Sequence, residues 1–159
     1  MMAKQFIYAV LGIFLCVIVG VAYSPSLTPE ESYFFRMLIN SHKQNQLNVK
    51  IKQLTQFKWT EVIWVGSYGA INPKIKIGDA IQSLSNYNAD LQQDGAWALV
   101  FINDSQITTI IQGKPSKLFG KYRYLSFSRK NPPIEKQYYP GDIIKMNDTF
   151  EFTIIRGSK

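Results

Sequence analysis

Between Lys114 and Lys136 the chain carries seven cations: Lys114, Lys117, Lys121, Arg123, Arg129, Lys130 and Lys136. Glu135 is the single carboxylate among them, and Phe119, Tyr122, Tyr124 and Phe127 interleave with the charges. Cations beside aromatic rings suit an anionic surface. Charge supplies attraction, while Tyr or Phe inserts at lipid head-group level or stacks on sugar rings. We therefore expect Lys117, Lys121, Tyr122, Arg123, Tyr124, Arg129 and Lys130 to form a binding surface for an anionic partner. The plainer alternative is a solvated strand pair whose aromatic side chains belong to the core.

Catalytic arrangements are poorly supplied. His42 is the only histidine, so a Ser-His-Asp or Cys-His triad would have to use it. It falls near the end of a predicted helix, where an imidazole complements the helix dipole. Paired histidines and an HExxH pattern are absent from the sequence, and we expect no metal and no cofactor. Glu61 stands inside the apolar stretch WTEVIWV. Paired with an Asp from a neighbouring loop, it could serve an envelope hydrolase, because such chemistry needs two carboxyls facing each other. A solvent-facing Glu61 at a sheet edge is the simpler expectation. Gly66-Ser67-Tyr68-Gly69 lacks the lysine and helix start of a phosphate loop and reads as a turn. No catalytic residue is assigned.

What must position these side chains begins with the uncharged run from Phe6 to Ala22, FIYAVLGIFLCVIVGVA. A bilayer core needs roughly 17–25 apolar residues, and a signal-peptide core is usually about 7–15. Lys4 precedes the run, Glu30 and Glu31 follow it, and the next basic residue is Arg36. That asymmetry places the N-terminus in the cytoplasm and the rest outside. We read residues 1–24 as a signal-anchor or signal peptide and 25–159 as one exported globular domain. The expected location is the inner membrane, single-pass, with the C-terminal domain periplasmic. Cleavage near Ala22 or Ser24, giving a secreted periplasmic protein, is the alternative. Lipidation at Cys16 fits less well, because Leu15 stands where a small residue is needed.

The net charge is +7, from 18 Lys and Arg against 11 Asp and Glu. A basic exported domain can meet anionic lipid, wall polymer or an acidic protein, and on the outer face nucleic acid is not an expected partner. With Cys16 in the apolar run, the exported part holds no cysteine and no disulfide. Asn103-Asp104-Ser105 and Asn147-Asp148-Thr149 match the glycosylation pattern, but both coincide with turns, and the Lys, Asn, Gln and Ile usage looks bacterial.

Thr28-Pro29-Glu30-Glu31 reads as a helix start: a cap, proline at the first helical position and Glu three places after the cap. Phe34, Met37 and Leu38 share one face, predicting a helix over about 28–44. Leu47 to Lys52 alternates as a half-buried strand, and Trp59 to Val65 reads as a stronger one. Asp79 to Leu84 could form a short helix, with the Asn- and Gln-rich stretch after it a loop. Trp97 to Ile102 is continuously apolar, the mark of a strand buried on both faces. Gln106 to Gln112 returns from an Asn103-Asp104 turn. Tyr122 to Ser128 makes a further strand, and Asp142 to Met146 pairs with Thr149 to Arg156. The fold class is α+β: after the transmembrane or signal helix, one amphipathic helix packed on an antiparallel sheet or partial barrel.

These readings favour a non-catalytic, membrane-tethered periplasmic interaction domain that binds an envelope protein or anionic polymer. An immunity or inhibitor role would fit such a domain. The alternatives are a cell-envelope hydrolase using Glu61 and a phage or plasmid lysis regulator with a releasable N-terminal segment.

Overall fold

A computed structural model describes residues 27–72, 74–78, 81, 83–113, 126–127 and 137–157. Helix α1 (Pro29–Lys43) starts where its capping residues require. Thr28 Oγ1 accepts from Glu31 N at 3.2 Å, and Glu31 Oε2 accepts from Thr28 N at 2.9 Å. This reciprocal box satisfies two backbone donors that a helix start otherwise leaves open. Phe34, Phe35, Leu38 and Ile39 then form its buried face.

Beyond α1 come β1 (Asn48–Lys50), a 3-10 turn (Ile51–Leu54), β2 (Glu61–Val65), β3 (Lys76–Ile77) and helix α2 (Ser85–Leu91). Six further strands complete the order: β4 (Trp97–Asn103), β5 (Gln106–Gly113), β6 (Ser126–Phe127), β7 (Gln137–Tyr138), β8 (Ile143–Met146) and β9 (Glu151–Ile155). They make two sheets, ordered β3-β5-β4-β2-β7 and β1-β8-β9-β6. Most pairs are antiparallel, but β3–β5 and β6–β9 are parallel. The described strands therefore form two mixed sheets and no closed barrel.

Strand β4 explains how both faces of the larger sheet are filled. Trp97, Leu99 and Phe101 enter one core with α1, the smaller sheet and the 3-10 turn. Ala98, Val100 and Ile102 enter a second core with Leu84, Leu91 and Ile71 on the opposite face. Alternation along a strand sends successive side chains to opposite faces, so an unbroken apolar run is what two-sided burial demands. The β4–β5 hairpin closes through Asp104 and Ser105, at φ 49° and 61°. Both values are the left-handed ones a two-residue hairpin turn requires.

Two expectations change. The strand expected over Leu47 to Lys52 stops at Lys50, because Ile51 turns into the 3-10 segment. There Ile51 N donates to Asp142 O at 2.9 Å, and Ile51 and Leu54, three apart, are both buried. Of the helix expected at Asp79 to Leu84, Asp79, Ala80 and Gln82 lie outside the described residues, while a helix forms over the Asn-rich stretch expected as loop. Packing overrides propensity there: Leu84 and Leu91 dock in the second core, and Asn88 Oδ1 accepts from Ile71 N at 2.8 Å. The fold thus has two described helices rather than one.

Glu31 does more than cap. Its side chain is fully buried, and Oε1 accepts from Gln112 N at 3.1 Å. β3 covers β5 only at Gln106 and Ile107, so the Gln112 N–H points off the sheet edge and the carboxylate takes it. One side chain thereby joins the start of α1 to the end of β5. Glu31→Ala would orphan both donors, each worth about 1–3 kcal/mol when buried. Chemical denaturation should show a loss of roughly 2–4 kcal/mol, and Glu31→Gln, which keeps one acceptor oxygen, should lose less.

Candidate functional site

Lys117, Lys121, Tyr122, Arg123, Tyr124, Arg129 and Lys130 all lie outside the described residues, as does the Phe6–Ala22 run. The points that bracket the basic stretch are described. It leaves the larger sheet at Gly113, meets the smaller sheet where Ser126 and Phe127 pair with Glu151 and Phe152, and re-enters the larger sheet at Gln137 beside Ile63. Gly113 is tightly set: a Cβ there would run into the Trp97 indole ring.

Where the stretch ends, a cation–aromatic cluster follows immediately. The Arg156 guanidinium lies 5.6 Å from the Tyr138 ring centroid and 5.2 Å from that of Tyr139. Arg156 Nη1 donates to Asp142 Oδ2 at 2.8 Å. Asp142 is buried and also accepts from Tyr139 N at 2.8 Å and Gly157 N at 2.9 Å. The carboxylate thus clamps the turn after β7 to the end of β9 and aims a cation at two rings. Tyr139 is 46% exposed and the Arg156 side chain 43%, so the cluster reaches the surface with Ile155 exposed beside it. This chemistry matches that of the sequence stretch it borders, and sequence reading missed it. Arg156 and Asp142 are 14 residues apart, with nothing in their spacing to join them.

The catalytic candidates have other partners. Glu61 is half-buried, and its Oε2 accepts from Gln137 Nε2. That partner is a neutral amide where a paired-carboxylate mechanism needs a second carboxyl. His42 stacks on Phe150 with ring centroids 3.9 Å apart, and its Nε2 donates to Asn147 O at 3.1 Å. It therefore fastens the end of α1 to the β8–β9 turn. Gly66 to Gly69 is a turn, closed by Gly69 N donating to Gly66 O at 3.0 Å. Asn147 Oδ1 holds its own turn by accepting from Thr149 N and Glu151 N.

Among the described residues no group of three or more His, Cys, Asp or Glu could hold a metal. Nor among them is any helix long and apolar enough to cross a membrane. A recess of about 150 Å³ at the start of α1 is lined by Pro29, Glu30, Tyr33, Gln56 and Phe57. That is room for a few waters, well below the roughly 300–1,000 Å³ of small-molecule sites. No protein-family model matches the chain, no curated protein matches it, and no solved structure matches it.

One polar group inside the fold has a displaced titration. Burial, and then the carboxylates Glu31, Asp90 and Glu30, hold the Tyr87 phenol above its ordinary value near 10. The folded state therefore keeps this proton at a pH where the unfolded chain has lost it. The contribution is intact below about pH 10 and disappears as pH climbs through the raised value. Denaturation midpoints should fall above pH 10, and Tyr87→Phe should flatten part of that fall. At the cluster, Asp142→Ala should cost about 2–3 kcal/mol by orphaning two backbone donors. Arg156→Ala should cost no more than about 1 kcal/mol, because that side chain is partly exposed.

Proposed function

We propose that this protein is a non-catalytic interaction domain, tethered to the inner membrane through residues 6–22 and standing in the periplasm. Its cationic, aromatic surface over Lys117 to Lys130 engages an envelope protein or anionic polymer. The observation that carries this reading is the Arg156 and Tyr139 pair, fixed by Asp142 over the buried Tyr138 ring and exposed where that stretch rejoins the fold. An anionic group approaching the stretch meets a pre-positioned guanidinium and a phenol at its border, so part of the ordering cost of binding is met before contact. Gly113, Ser126-Phe127 and Gln137 support the reading too, since they tie the stretch to both sheets.

Affinity capture with tagged full-length protein from gently solubilised native membranes tests it. A stoichiometric partner is expected, lost when Lys121, Arg123, Arg129 and Lys130 are together changed to Glu and weakened by Arg156→Ala. Capture that survives the four reversals would remove this surface from the function. A rise in salt should weaken capture, because exposed charges are screened over about 10 Å at 0.1 M ionic strength.

A further inference from the structure

Tyr68 is 67% exposed, more than any other large apolar side chain among the described residues. Its backbone lies at φ 60°, in the left-handed region that bulky residues rarely adopt. Asp104 and Ser105 share that conformation because a hairpin turn needs it, and Phe150 does so while stacked on His42. For Tyr68 no hydrogen bond or ring contact of the side chain, among the described residues, compensates. The turn is nevertheless held firmly. Tyr68 N donates to Leu91 O at 2.7 Å, Ser67 Oγ to Ala96 O at 3.0 Å, and Gln92 Nε2 to Gly69 O at 3.3 Å. A strained backbone presents an aromatic ring to the outside.

Its place in the fold says what it meets. Val65 sits opposite Ala98, and Ala98 opposite Gln112, in one row across the larger sheet. Glu31 fastens the start of α1 to Gln112, and Tyr68 lies three residues past Val65 at this same end of the sheet. Two strand spacings and three residues put it roughly 14 Å from Gln112, which the Glu31 carboxylate joins to the helix cap. Residues 23–27, the link from the apolar run to that cap, reach at most roughly 17 Å. The basic stretch also departs from this end, at Gly113. Ile77, by contrast, pairs with Ile107 at the far end of β5.

We infer that this end of the sheet rests on the bilayer, with the Tyr68 ring seated among phospholipid head groups. The inference rests on the membrane tether proposed above. A tyrosine suits that depth, because its ring is apolar and its hydroxyl stays hydrated.

Full-length protein carrying Cys16→Ser, reconstituted in vesicles of phosphatidylethanolamine and phosphatidylglycerol, provides the test. A bimane label at Tyr68→Cys is compared with one at Ile77→Cys, using a lipid with a nitroxide on its head group. Quenching should be several-fold stronger at position 68. Equal quenching at both positions, or stronger quenching at 77, overturns the inference while leaving the tether standing. Failure of the protein to float with the vesicles overturns the tether as well. Shielding at position 68 that requires added membrane protein would assign the tyrosine to a protein interface instead and overturn the lipid contact. Tyr68→Gly should raise the thermal midpoint by relieving the left-handed strain. A lowered midpoint would make Tyr68 a structural residue and overturn the proposal.

Discussion

The buried carboxylate of Glu31 is the interaction on which the arrangement depends. It takes the Thr28 N–H at the start of α1 and the Gln112 N–H at the edge of β5. Those donors belong to elements about 80 residues apart, one partly and one fully buried, and Glu31 gives each an acceptor. Because Thr28 is the second described residue after the membrane-spanning candidate, the same contact sets where a tether would join the sheet. Gln112 extends the network by donating Nε2 to Tyr87 O at 3.1 Å, which brings α2 into it. Helix, sheet edge and second helix meet at one carboxylate.

Around that junction the larger sheet is a wall between two cores, and α1 and α2 close opposite faces of it. Among the described residues, the exposed aromatic and charged groups that stand out lie at its rim. The Arg156 cluster sits where β7 meets β9, and Tyr68 projects past the end of β2. The Asp142 carboxylate fixes the first, and hydrogen bonds to Leu91 O and Ala96 O fix the turn that carries the second. Recognition at a rim suits binding of an extended surface better than enclosure of a small molecule.

Much of this fold was legible because the local signals were strong. The Thr28-to-Glu31 box, the unbroken Trp97–Ile102 run and the turns at Asn103 and Asn147 each correspond to a described element with bounds close to those expected. The Asn-rich helix over Ser85–Leu91 was not legible, since its propensity is poor and its stability comes from Leu84, Leu91 and the Asn88 bond to Ile71. The site was less legible for a different reason. Arg156 with Tyr139, and Glu31 with Gln112, are long-range pairs, and no periodicity within one segment encodes them. Glu61, which drew notice by standing in an apolar strand, turns out to be tied to Gln137. The residues expected to bind, Lys117 to Lys130, are framed by the described structure without being part of it.

The proposed role requires the folded domain to stand on the outer face of the membrane, held there by residues 6–22. The most direct measurement is thiol labelling in intact Gram-negative cells, with Cys16→Ser as background and Lys76→Cys as an exposed reporter at the far end of β5. A membrane-impermeant maleimide that crosses the outer membrane should label position 76 in intact cells, on protein that fractionates with the inner membrane. Labelling only after the inner membrane is permeabilised would place the domain in the cytoplasm and contradict the account.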